Sequence, residues 1–178
     1  MRVSAPVPPS SVLFPASNAS TFFIYGMSKG GSGGLGTALT PLLEKKYIVS
    51  QLSSKDVDIT DFTQVNEFFK MYNYDIVLNF VGINYDVVLN KVQEGDVNNI
   101  NQVLNVNIGG HTNVLANCLP KMIEKKYGRV IGISSVLSEI NVPSTAIYST
   151  TKAAIDKLYQ VANKENIRYG ITCNTIQL

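Results

Sequence analysis

Between an apolar run, Thr21–Tyr25 (TFFIY), and a segment in which Leu35, Leu39, Leu42 and Leu43 recur at helical spacing lies Gly26–Gly36, GMSKGGSGGLG. A strand, a glycine-rich turn and a helix in that order leave few folds open. Glycines tolerate positive φ and carry no Cβ, so such a turn brings its backbone N–H groups close to a ligand at a helix N-terminus. The positive end of the helix dipole then favours a pyrophosphate. Gly30, Gly34 and Gly36 satisfy GxxxGxG. A triphosphatase loop needs Gly-Lys-Ser/Thr where this chain has Gly-Leu-Gly.

The same alternation continues downstream. Tyr47–Leu52 (YIVSQL) is a second strand. The spacing predicts a helix over Asp61–Tyr72, capped by Asp61, with Phe62, Val65, Phe68 and Phe69 on its buried face. Asp75–Phe80 (DIVLNF) is a strand of buried type, followed by a long amphipathic helix over Val97–Ile123, broken or capped near Pro120 and ended before Gly128. Arg129–Ser134 is another strand, Thr150–Asn163 another helix, and Ile171–Ile176 a last strand. Alternating strands and helices build a parallel sheet, here as a single domain over residues 21–178.

Composition removes several function classes. With 45% hydrophobic and 16% charged residues among 178, the chain is of globular and not disordered type. A net charge of +2 from scattered basic residues implies neither nucleic acid nor an anionic membrane surface. No apolar run is long enough to span a bilayer. The first twenty residues, rich in Pro, Ser and Ala with Arg2 as their one basic residue, read as a flexible leader, with an organellar address as the alternative to a cytoplasmic protein. Cys118 and Cys173 read as small buried hydrophobes. His111 is the single histidine, so no multi-histidine metal site is expected and acid/base work falls to Tyr and Lys.

Tyr148 and Lys152 (YSTTK) supply that pair, because positions four apart share a helix face. A phenol titrates near 10, and a neighbouring ammonium is what allows it to exchange a proton close to neutrality.

In order along the chain stand GGSGGLG, DIT at Asp58–Thr60, NFVG at Asn79–Gly82, NVN at Asn105–Asn107, ISS at Ile133–Ser135, YSTTK, and NTIQL at Asn174–Leu178. In sequence and spacing they resemble the short-chain dehydrogenase/reductase family. The resemblance implies a Rossmann-like, doubly wound parallel α/β sheet with helices on both faces and the last strand or strands missing. It implies Ser135 as the serine that hydrogen-bonds the substrate carbonyl, with Ser134 its near neighbour. Tyr148 is the implied general acid or base, Lys152 the ammonium that lowers its pKa and holds the nicotinamide ribose, and Asn107 the anchor of a relay water. It implies a dinucleotide on Gly26, Gly30, Gly34, Leu35 and Gly36 for the phosphates, Asp58 and Ile59 for adenine, and Asn79 and Gly82 beside the adenosine ribose.

The chain also departs from that pattern. The loop is about four residues longer than usual, so the first phosphate-contacting glycine is either Gly26 or Gly30. No helix fits between Tyr47 and Asp58, as in the sugar-nucleotide reductases of the wider superfamily. The end of the second strand lacks an acidic residue for a ribose 2′-OH, whereas Ser53, Ser54 and Lys55 suit a 2′-phosphate, so NADP(H) is preferred to NAD(H). The expected function is interconversion of a small ketone and a secondary alcohol, by a homodimer or homotetramer. The alternatives are a non-catalytic nucleotide-binding protein or a sugar-nucleotide reductase or epimerase.

Overall fold

A computed structural model describes residues 21–25 and 33–178. The expected leader, and the loop positions Gly26 and Gly30, lie outside the described residues. Among the described residues, five strands form one sheet in the order β2-β1-β3-β4-β5. These are β1 (Thr21–Tyr25), β2 (Ile48–Leu52), β3 (Ile76–Asn79), β4 (Gly128–Ser134) and β5 (Ile171–Gln177), and every pairing is parallel. The order reverses at β1, which lies between β2 and β3. In a doubly wound sheet that switch point opens a crevice beyond the strands' carboxyl ends.

Helices cover both faces. α1 (Gly33–Leu43) lies on one, where Leu35, Leu39 and Leu43 pack with Val49, Leu78, Phe80 and Ile133. On the other, α2 (Phe62–Met71), α4 (His111–Lys125) and α5 (Ala146–Asn166) enclose the larger core around Val65, Val77, Val114, Val130, Ile155 and Tyr159. Parallel strands buried on both faces need unbroken apolar runs, as DIVLNF provides for β3, where Val77 and Leu78 are buried. Cys118 and Cys173 are free and buried in this core. No helix among the described residues is long and apolar enough to cross a membrane.

Local chemistry explains the boundaries. The Asp61 carboxylate caps α2 by accepting from the N–H groups of Thr63 and Gln64 at 2.8 and 3.1 Å. Val65, Phe68 and Phe69 are buried as expected, but Phe62 is 53% exposed. It stands in the first turn, ahead of the stripe that meets α4. The helix expected over Val97–Ile123 is interrupted elsewhere than at Pro120, which lies inside a continuous α4. α3 (Val97–Leu104) passes into α4 through a π turn at Asn105–Gly110, and α4 ends at Lys126 in the left-handed conformation with φ 56°. α5 begins four residues earlier than the periodicity indicated, so Tyr148 and Lys152 both lie within it. No helix separates β2 from α2, as the short link from Tyr47 to Asp58 required.

Candidate active site

The carboxyl ends of β3 and β4 and the first turns of α5 bring the predicted catalytic side chains together. Successive strand residues point to opposite faces, which separates the two serines at the end of β4. Ser134 turns toward α5, where its hydroxyl meets the Lys152 carbonyl at 3.2 Å and the Asp156 carboxylate at 2.8 Å. Ser135 lies beside the Tyr148 phenol, donates to Leu178 O at 3.3 Å and accepts from Leu137 N–H. Ser135 is therefore the hydroxyl facing Tyr148, and Ser134 is structural.

Lys152 is 2% exposed. Its ammonium donates to Ile133 O at 2.8 Å and lies 5.5 Å from the centroid of the Tyr148 ring. Burial pushes this amine down to about 8, opposed by the charge of Asp156 one turn along α5. Burial raises the Tyr148 phenol above its ordinary value; the nearby Ser135 hydroxyl opposes the rise and the charge of Asp86 adds to it. Asp86 has no signature in sequence. It is brought here because Val87 N–H donates to Ser144 O, tying the segment after β3 to the loop before α5.

Gly82 matters because of what it lacks: a Cβ there would stand 2.8 Å from Lys152 Nζ. Gly82→Ala should push the ammonium off its position and reduce turnover about tenfold with little change in Tm, since a displaced charge costs catalysis before it costs packing. Wild-type kinetics in this variant would show that Lys152 need not stand against the strand end.

Asn107 is fully buried inside the π turn. Its Oδ1 accepts from Ile83 N–H at 2.9 Å, and its Nδ2 faces Ile83 O and Thr151 Oγ1, each at 2.9 Å. The side chain holds the segment after β3, and Thr151, absent from the predicted set, holds Asn107. The extra residue of a π turn changes the facing of a helix locally, which is one reason such turns occur at functional sites.

The cofactor candidates divide. Gly34, Leu35 and Gly36 occupy the first turn of α1, at the carboxyl end of β1; a Cβ on Gly34 would touch no described atom, while the Leu35 side chain packs against the sheet. Asn79 is fully buried: Oδ1 accepts from Val81 N–H at 3.3 Å, and Nδ2 has no hydrogen-bond partner. Asp58 accepts from Thr60 N–H and Oγ1 in an exposed turn. Ile59 is buried, and its carbonyl is taken by Asn113. Ser54 and Lys55 are exposed just after β2, and the adjacent Asp56 carboxylate is held by Ser53 through its N–H and hydroxyl at 2.8 and 2.9 Å. No cluster of metal-ligating side chains occurs among the described residues.

The short chain dehydrogenase family model matches residues 37–178. The chain is 27% identical over 167 residues to a 3-oxoacyl-acyl-carrier-protein reductase of Rickettsia typhi, covering 83% of this chain and 68% of that one. It is 31% identical over 127 residues to dehydrogenase/reductase SDR family member 6 of Danio rerio, covering 70% and 51%. The chain thus spans 51% to 68% of the length of these relatives. Its fold matches a gluconate 5-dehydrogenase from Burkholderia cenocepacia in complex with NADP and tartrate, with TM-score 0.69 at 21% identity, covering 88% and 69% of the two chains. It also matches an NAD+-bound xylitol dehydrogenase, with TM-score 0.74 at 22% identity, covering 90% and 70%.

Proposed function

Because this chain belongs to the short-chain dehydrogenase family, we propose that it serves a nicotinamide-dependent oxidoreductase that interconverts a ketone and a secondary alcohol, with Tyr148 as general acid and base. The observation that carries this reading is the convergence of Ser135, Tyr148 and a buried Lys152 ammonium at the end of β4, beside a strand end without a Cβ.

The residues fit a dinucleotide. The open face of Gly34 at the start of α1, the switch point at β1 and the missing Cβ at Gly82, where Lys152 Nζ approaches the backbone, support that fit. Gly34, Leu35 and Gly36 would hold phosphates through backbone N–H groups, Asp58 and Ile59 the adenine, Asn79 and Gly82 the adenosine ribose, and Tyr148 with Lys152 the nicotinamide ribose. When bound, the nicotinamide supplies hydride to the carbonyl carbon or takes it back. Tyr148 delivers its phenolic proton to the carbonyl oxygen in the reducing direction and removes it in the other. Ser135 donates a second hydrogen bond to that oxygen, and the Lys152 ammonium stabilises the phenolate that remains.

NADP(H) is favoured over NAD(H), because the exposed Ser54 and Lys55 offer a hydroxyl and an ammonium after β2 while the Asp56 carboxylate is turned onto Ser53. Exposed Val97, Leu104 and Val161 on α3 and α5 support a homo-oligomer built on those helices. Fluorescence titration with NADPH and NADH tests the cofactor, and ketone-dependent NADPH oxidation over a carbonyl panel tests the reaction. Tighter NADPH binding with turnover is the expected result. Binding without turnover on any carbonyl would replace the enzyme with a nucleotide-binding protein of the same fold.

A further inference from the structure

Behind the end of β3 lies a buried polar circuit in which the catalytic arrangement above has no part. His111, the first residue of α4 and the chain's single histidine, is fully buried. Its Nε2 lies 3.0 Å from Val81 O and its Nδ1 lies 3.1 Å from Tyr159 Oη. A carbonyl can only accept, so Nε2 carries the hydrogen, and Nδ1 accepts from the phenol. The Tyr159 hydroxyl also lies near the buried Asn79 side chain without bonding it, and Asn79 Oδ1 accepts from the N–H of Val81, the residue whose carbonyl His111 takes. The Tyr159 ring reaches this position because Gly132 has no Cβ, which would stand 2.6 Å from Cζ.

The consequence falls on one short stretch of backbone. Val81 has its N–H held by Asn79 and its C=O held by His111, and Ile83 has both groups held by Asn107. Gly82, the residue against Lys152 Nζ, is suspended between them. Functional backbone kept within about half an ångström of its working position depends on such supporting hydrogen bonds.

We infer that His111, oriented by Tyr159, is a positioning residue that sets the Val81–Gly82 strand end where it can face the dinucleotide. The inference rests on the oxidoreductase reading of the site. A histidine used only to fill the core would need no fixed tautomer and would tolerate any side chain of similar volume. Burial holds the imidazole neutral, and the nearby Lys152 charge works in the same direction.

Because one histidine is present, ¹⁵N-histidine labelling yields one pair of ring signals, readable without any assay of activity. The expected spectrum is the neutral Nε2–H tautomer at neutral pH, with both signals moving on addition of NADPH. A predominant Nδ1–H form, or signals indifferent to NADPH in a protein that binds it, overturns the inference. Two substitutions separate the roles of the ring nitrogens. In His111→Gln the amide nitrogen reaches the Nε2 position and can still serve Val81 O, whereas in His111→Asn the amide falls at Nδ1 and cannot. NADPH should bind His111→Asn about tenfold more weakly than wild type, with His111→Gln restoring most of the loss. If His111→Asn does not fold, Tyr159→Phe keeps the ring in place and removes only the hydroxyl, and the single tautomer should give way to a mixture. Equal NADPH affinity in wild type, His111→Asn and His111→Gln overturns the inference alone. Wild-type protein that binds neither NADPH nor NADH overturns the oxidoreductase reading and this inference with it.

Discussion

Tyr148→Phe should lower turnover by a factor of about 10² to 10⁴, the usual contribution of a positioned acid or base, while NADPH affinity falls far less because Lys152 still holds the nicotinamide ribose. The substitution keeps the ring that the Lys152 ammonium approaches at 5.5 Å and deletes only the proton and the oxygen that Ser135 addresses. Among the described residues, Tyr159 cannot substitute: it is buried in the core and its hydroxyl is committed to His111. The two quantities to compare are single-turnover NADPH oxidation and the fluorescence-derived Kd. Turnover at the wild-type rate would transfer the acid/base role to another group, and a matched loss of affinity would mean the phenol acts in binding. Since burial raises the Tyr148 phenol, activity in the alcohol-oxidising direction, which needs the phenolate, should increase with pH through the alkaline range until another group limits it.

Lys152→Met should have opposite effects on activity and stability. Turnover falls about a hundredfold or more, because no other ammonium faces Tyr148 among the described residues. The fold, however, gains stability at neutral pH. Lys152 is buried, its one hydrogen bond among the described residues goes to a neutral carbonyl, and its amine titrates at about 8 instead of 10.5. Between those values the unfolded chain binds more protons than the folded one, so this residue makes stability rise with pH from about 8 to 10.5. Below about 8 the folded protein carries the whole cost of the buried charge, roughly 3 kcal/mol. Methionine matches the aliphatic stem and removes that cost, but leaves Ile133 O without its donor, a loss of about 1 kcal/mol. A net gain of about 1–2 kcal/mol in urea unfolding at pH 7 is expected, and the alkaline rise in stability should disappear. A variant less stable than wild type at pH 7 would show that the ammonium is a net structural asset. The expected outcome is the trade between stability and activity that buried functional charges impose.

Much of the arrangement was legible in residue order. The apolar runs gave all five strands to within a residue or two, since a parallel strand covered on both faces must be apolar at nearly every position. The Asp61 cap was legible because a carboxylate before a helical period satisfies free N–H groups by local geometry alone. The family resemblance put Ser135, Tyr148 and Lys152 in one site, and in the structure Lys152 Nζ lies 5.5 Å from the Tyr148 ring centroid with Ser135 beside the phenol. Errors arose where a three-dimensional neighbour decided the matter. Phe62 has the right period but no neighbour to bury it, and Pro120 sits in an unbroken helix whose real irregularity is a π turn at Asn105–Gly110 that no residue type announces. Leu35 and Ile59 place their side chains in apolar packing, so only their backbones are available to a cofactor.

Periodicity and short-range spacing determined the elements and their parallel pairing and put Tyr148 and Lys152 on one helix face, because helix and strand repeats and the i,i+4 relation are properties of neighbouring residues. Which serine faces Tyr148, the spending of Asn107 on the Ile83 backbone, the approach of Asp86, and the circuit of Asn79, His111 and Tyr159 were decided only by tertiary structure. The physical reason is that each of these depends on desolvation and hydrogen bonding between groups tens of residues apart, and their energies exist only once the sheet and its helices have excluded water from between them.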